Sequence, residues 1–185
     1  LKVEAIGLNR AEVMLREGVY HERPIFPSRI GYEAAGVVDA LGDGVTNVKQ
    51  GDRVATVPSF ALSQTRHGVY GESAVVPAEV AVPYPANLSS MQGAAIWMQY
   101  LTAYGALVHY GGLGPDDVAL ITAASSSVGV AAIQIAKHLG ARVISTASAA
   151  NLDYVKGLGA DEVIDYNATD FTQAVSGVDA VFDTV

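Results

Sequence analysis

The stretch VALITAASSSVGVAAIQIAKHLG, Val118 to Gly140, constrains the fold of this chain more than any other. An unbroken apolar run from Val118 to Ala124 predicts a strand buried on both faces, because a half-exposed strand would carry polar residues at alternate positions. Three serines, Ser125, Ser126 and Ser127, follow as a tight turn. A helical pattern then begins, with apolar residues at Val128, Ala132, Ile135, Ala136 and Leu139 spaced by three and four, and Gly140 offers the left-handed position that ends such a helix. Helix N-termini present unpaired N–H groups and the positive end of the dipole, and small side chains let a phosphate approach them. The turn therefore suits a pyrophosphate. Measured against the dinucleotide fingerprint G-x-G-x-x-G, the aligned residues are Ala124, Ser126 and Gly129, so only the last position matches, and the turn alone fits an ordinary βα connection equally well.

Residues 1–85 carry short β-like segments separated by Gly and Pro: Lys2 to Gly7, Ala34 to Leu41, Asp52 to Val57 and Glu72 to Ala78, with a polar loop expected from Ser59 to Gly71. They form a small, mostly β domain. Near Pro83 to Pro85 the pattern changes, and Ser89 with Gln92 three residues later makes a capping-box start for a helix reaching roughly Gly93 to Leu107. From Val118 onward strands alternate with helices: Val118 to Ala124, Ala141 to Ala147, Glu162 to Tyr166 and Asp179 to Val185. That alternation predicts right-handed βαβ crossovers and a parallel sheet over residues 86–185. Four strands amount to the first half of a doubly wound sheet and the strand that opens its second half. Leu1 is not an initiator methionine and Val185 falls inside a strand-like segment, so a fragment of a longer protein is expected.

Charge and residue content narrow the partners. Nineteen acidic and eleven basic residues give a net charge of −8, and no cluster of Lys and Arg forms a basic face, which disfavours nucleic acid or an anionic membrane and leaves a small molecule as the partner. No apolar run has the length to cross a bilayer and no signal peptide is visible, so a soluble cytoplasmic protein is expected. The absence of cysteine rules out a Cys-based zinc site, and the four histidines, His21, His67, His109 and His138, lack any close ligand spacing.

Four segments in this order resemble the medium-chain dehydrogenase/reductase superfamily, specifically its zinc-independent quinone oxidoreductase-like branch. They are AIGLNRAEVMLREGVY (Ala5 to Tyr20), GYEAAGVVDALGDGVTNVKQGDRV (Gly31 to Val54), YLTAYGAL (Tyr100 to Leu107), and the strand–turn–helix followed by LGADEVIDY (Leu158 to Tyr166). The resemblance spans the chain. It implies an α/β architecture, a partial GroES-like β domain followed by the first half of a Rossmann doubly wound parallel sheet, with the nicotinamide cofactor between the two domains. Relatives with catalytic zinc carry Cys at or near Asn9 and a Gly-His-Glu motif, where this sequence reads Gly31-Tyr32-Glu33.

The resemblance implies hydride transfer to a quinone or an α,β-unsaturated carbonyl without a metal, with NADPH as cofactor. Ser125, Ser126, Ser127, Val128 and Gly129 would receive the pyrophosphate. Thr102 and Asn9 match residues at the nicotinamide end, and Tyr166 matches a tyrosine beside the adenosine; read as residues alone, Thr102 also suits a helix-facing threonine bonded to its own turn, Asn9 a local turn, and Tyr166 a half-buried strand position. Tyr20 matches a tyrosine that protonates carbon after hydride addition; on its own residue chemistry it equally suits the edge of the β domain. Where an NAD-reading carboxylate would stand, about twenty positions beyond the glycine turn, the chain has Ala147, Ser148 and Ala149, which permits the extra phosphate of NADP with Ser148 as a donor. Two other functions compete: a non-catalytic NADPH-binding redox sensor or structural protein, and a zinc alcohol dehydrogenase, which the missing cysteines and Tyr32 oppose. A homodimer is one assembly open to the longer protein.

Overall fold

In the computed structural model, which describes residues 1–24, 26–59 and 61–185, the chain divides into two units, Leu1–Met98 and Gln99–Val185. In the first unit, strands β1 (Lys2–Gly7), β2 (Glu33–Val37), β3 (Arg53–Thr56) and β4 (Ala81–Pro83) form an antiparallel sheet in the order β1-β2-β3-β4. Small residues set its spacing. A Cβ on Gly36 would lie 2.0 Å from the Lys2 carbonyl oxygen, next to the register shift between Val3 and Ala5, so only glycine lets β1 cross there. Helix α1 (Arg10–Glu17) follows β1 and ends at Gly18, whose φ of 73° is left-handed.

Three expectations for this unit need correction. Glu72 to Ala78 adds no strand beyond a bridge from Ser73 to Lys2; Pro77 lacks an N–H, a 3-10 turn occupies Ala78–Val80, and pairing resumes only at β4. The segment from Ser59 to Gly71 contains a one-turn helix, α2 (Gln64–His67), capped by the Ser63 hydroxyl, which accepts from the Arg66 N–H at 3.2 Å. Phe60 of that segment lies outside the described residues. The single helix expected from Gly93 to Leu107 is interrupted: α3 (Ser90–Gly93) stops, α4 (Trp97–Tyr104) starts anew, and a π-helical stretch, Gly105–Tyr110, continues it.

The capping box at Ser89 forms as read, with the Ser89 N–H donating to Gln92 Oε1 at 2.9 Å. The interruption has a tertiary cause, because the Glu33 carboxylate accepts from the Met98 N–H at 2.8 Å and so provides α4 with a separate start. Leu88, Ala94 and Trp97 pack with Ala35, Ala55 and Tyr84, which carries residues 86–98 onto the first sheet, past the 85/86 boundary read from composition.

The second unit follows the alternating pattern: β5 (Val118–Ile121), α5 (Ser127–His138), β6 (Arg142–Ala147), α6 (Leu152–Gly157), β7 (Glu162–Asp165), α7 (Phe171–Ala174) and β8 (Ala180–Phe182). All strands are parallel in the order β7-β6-β5-β8. β5 is buried on both faces, as its unbroken apolar run requires: Ala119 and Ile121 enter the core with Ala132, Ile133 and Val143, while Leu120 enters a second cluster with Ile144 and Ile164. Gly140, at φ 88°, turns the chain after α5. Among the described residues, no helix is long and apolar enough to cross a membrane.

Candidate functional site

The chain order of the parallel sheet reverses beside β5, since β6 and β7 lie to one side and β8 to the other. Open α/β sheets bind ligands outside the carboxyl ends of their strands at such a reversal. A cavity of about 850 Å3 opens there, and its lining includes Ser125, Ser126, Ser148 and Tyr166, four of the residues expected from sequence. Local chemistry shapes its floor. Ser126 is the N-cap of α5, and its hydroxyl accepts from the Gly129 N–H at 3.1 Å. The N–H groups of Ser127 and Val128, one turn short of an intrahelical acceptor, have no protein partner among the described residues. Two such donors at the positive end of a helix dipole favour an anion, although Ser127, Val128 and Gly129, unlike Ser125 and Ser126, are not among the residues lining the cavity.

Gly129 performs the third-glycine task of the fingerprint. A Cβ there would stand 2.5 Å from the Ala123 carbonyl oxygen and 2.8 Å from Ala124 Cα, so helix and strand touch backbone to backbone. Ala123, at φ 43°, is the one non-glycine residue with positive φ among the described residues, and it bends the chain out of β5 toward the serine turn.

At the end of β6, Ser148 opens a 3-10 turn over Ala149–Asn151. Asn151 Nδ2 donates to the Ser148 hydroxyl at 3.2 Å, which leaves the Ser148 proton available as a donor. Sequence reading did not single out Thr122, Thr146 or Asp183 of the same cavity. The signal for Thr122 was its hydroxyl inside the apolar run; it is 5% exposed and donates to Asp183 Oδ1 at 2.6 Å. That bond, first among the causes, holds the Asp183 carboxyl below its ordinary value. No Lys or Arg lines the cavity.

The first unit holds a second cavity, of about 530 Å3, whose lining includes Tyr20, Tyr32, Leu62 and Met98 with His21, Glu22 and Ser63. Tyr20 and Tyr32 meet edge to face with ring centroids 6.2 Å apart. Burial, and then the neighbouring Tyr20 hydroxyl, push the Tyr32 phenol well above its ordinary pKa. Burial works to raise Glu22 as well, but hydrogen bonds from Ser63 and from Thr65 (2.7 Å) win and hold its carboxyl low.

Asn9 and Thr102 are outside the linings of both cavities. Thr102 lies on α4 with its side exposed. Asn9 is the N-cap of α1, in a capping box with Glu12, whose Oε2 accepts from the Asn9 N–H at 2.8 Å. Glu12 is 4% exposed; burial pushes its carboxyl above the ordinary value, N–H donors oppose the shift, and nearby Glu33 adds to it.

The chain is similar to known proteins along almost its whole length. Residues 1–86 match the alcohol dehydrogenase GroES-like domain family, and residues 127–185 match the zinc-binding dehydrogenase family. The synaptic vesicle membrane protein VAT-1 homolog of Rattus norvegicus is 36% identical over 189 residues, covering 99% of this chain and 45% of that protein. The quinone oxidoreductase of Homo sapiens is 34% identical over 190 residues, covering 99% of this chain and 56% of that protein. Among solved structures, the Escherichia coli quinone oxidoreductase complexed with NADPH superposes with a TM-score of 0.82 at 35% identity, over 94% of this chain and 51% of that one. The chain thus spans about half the length of the relatives it matches.

Proposed function

Because the chain belongs to the medium-chain dehydrogenase/reductase superfamily, in its quinone oxidoreductase-like branch, we propose that the protein reduces quinones or α,β-unsaturated carbonyls with NADPH and without zinc. The single observation that carries the nucleotide part is the cavity at the β5/β8 reversal, with the open N-terminus of α5 on its floor. The N–H groups of Ser127 and Val128 would bind the pyrophosphate, and the Ser126 hydroxyl fixes the turn that aims them. Ser148 and Asn151 would meet the adenosine ribose. Neither is acidic, so a 2′-phosphate meets no repulsion there, and the Ser148 proton is free to donate to it. Tyr166, exposed beside the end of β7, offers a ring face to the adenine.

The nicotinamide group supplies a hydride when bound, and an enone or quinone is itself a good electron sink. The chain's own task is then orientation and the delivery of one proton. Tyr32, in the motif where zinc-dependent relatives carry His, is buried against Tyr20, which supports a reaction without zinc. Tyr20, on the wall of the second cavity, is the candidate proton donor, since a phenol hydroxyl can give its proton to a developing enolate.

A panel of quinones and enones tested with the full-length protein examines this reading through acceptor-dependent NADPH oxidation. Turnover with at least one class, undiminished by chelators, is expected; NADPH binding with no turnover on any acceptor would favour the sensor function instead. Tyr20→Phe should lower enone turnover by about 10²-fold and quinone turnover less, because reduced quinones take protons from water.

A further inference from the structure

The cavity of the first unit, at about 530 Å3, has the size of a small-molecule site, and Pro58, Leu62 and Met98 make its wall largely apolar together with the rings of Tyr20 and Tyr32. Aromatic rings on an apolar wall suit a flat, conjugated ligand. One charge interrupts that wall. Among the described residues, Glu22 is the one carboxylate in the lining, and no Lys or Arg lines the cavity to offset it.

Glu22 is held in place. The Ser63 and Thr65 hydroxyls both donate to its Oε1, Thr65 at 2.7 Å, and Ser63 is itself fixed as the N-cap of α2. Burial works to raise the carboxyl, yet these hydroxyls and the N–H groups of Gln64 and Thr65 hold it below its ordinary value, so it is ionised at neutral pH. Its field reaches the aromatic wall: after burial and the Tyr20 neighbour, Glu22 adds to the upward push on the Tyr32 phenol. A ligand lying on those rings therefore lies in the field of an uncompensated carboxylate, and an apolar wall screens that field less than water does.

We propose that this cavity selects acceptors by charge, taking uncharged and cationic quinones or enones and turning away anionic ones, with Glu22 as the residue that makes the distinction. This rests on the oxidoreductase reading above and narrows its substrate class. Glu22→Gln removes the charge but keeps Oε1, the oxygen that accepts from both hydroxyls, so the local hydrogen bonds survive. Glu22→Asp keeps the charge on a shorter arm. A purely structural Glu22 would affect every ligand alike, whereas a selecting charge moves cations and anions in opposite directions.

The test measures dissociation constants by equilibrium dialysis on the full-length protein for three probes of similar shape: naphthoquinone, naphthoquinone sulfonate, and a naphthoquinone bearing a trimethylammonium group. Partly solvated charges interact weakly, so wild type should bind the cation about three- to tenfold more tightly than the anion, with the neutral quinone between them. E22Q should bring that ratio close to one, and E22D should keep most of it. NADPH oxidation should rank the same probes in the same order by kcat/KM. A ratio in E22Q equal to that of wild type, or a wild type that binds the anion as tightly as the cation, would overturn the proposal. Where E22Q fails to fold, the wild-type ratio read between about 0.05 M and about 0.5 M salt takes its place: it should shrink, and a ratio that holds overturns the proposal. Binding in the expected order without NADPH oxidation would count against the reductase reading and leave the charge selection standing; oxidation with no order by charge would do the reverse.

Discussion

Gly129→Ala adds one methyl group at the point where α5 touches the end of β5. The new Cβ would stand 2.5 Å from the Ala123 oxygen and 2.8 Å from both Cα and oxygen of Ala124, all of them backbone atoms that no side-chain rotation can clear. Ordinary contact begins near 3.4 Å, so the first turn of α5 must withdraw by roughly 0.9 Å. Overpacking of this kind costs about 1–3 kcal/mol, and the better helix propensity of alanine returns up to about 1 kcal/mol. A net loss of about 1 kcal/mol lowers Tm by about 2–4 °C in a chain of this size. The effect on binding is larger, because the displaced turn carries the Ser127 and Val128 N–H groups. Hydrogen bonds to charged groups contribute about 1.5–3 kcal/mol, so losing one weakens NADPH binding by roughly 10- to 100-fold. Calorimetric titration of the folded variant measures this. An unchanged Kd with an unchanged melt would refute both the close contact and the assignment of the phosphate seat.

Ser148→Asp places a carboxylate where a 2′-phosphate would sit, so NADPH affinity should fall about tenfold or more while NADH affinity holds or rises; parallel loss of both would move the adenosine elsewhere. The Glu12 carboxyl is raised by burial, so the native state binds its proton more tightly than the unfolded chain, whose value is about 4.3. Its contribution to stability is therefore full below that pH and declines as pH rises above it, and the Tm of Glu12→Gln relative to wild type should climb between about pH 4 and pH 7; a difference that stays constant over that range would contradict the sign.

How much of this was legible depended on whether the determining contacts were local. The run from Val118 predicted β5 because its periodicity reports burial on both faces, and the spacing of Val128, Ala132, Ile135 and Ala136 predicted α5 for the same reason. The cavity assembled Ser125, Ser126, Ser148 and Tyr166 because parallel strands deliver their carboxyl ends to one edge. The break between α3 and α4 was not legible: it depends on Glu33, 65 residues before Met98 in sequence. Asn9 with Glu12 three residues later has a capping-box spacing, which local pattern could have revealed, but the bond from Asn9 to Glu33 spans 24 residues and no period encodes it. Residues 86–98 join the first sheet through Leu88, Ala94 and Trp97, whose apolar character alone does not say which sheet they cover.

The central claim is that the cavity at the β5/β8 reversal holds NADPH, with its pyrophosphate on the α5 N-terminus and its 2′-phosphate near Ser148. Dissociation constants for NADPH and NADH, measured side by side on the full-length protein at one ionic strength, test it most directly. The account predicts tighter binding of NADPH, because the end of β6 carries a hydroxyl donor and no acid. Tighter binding of NADH, or no binding of either nucleotide, would contradict it.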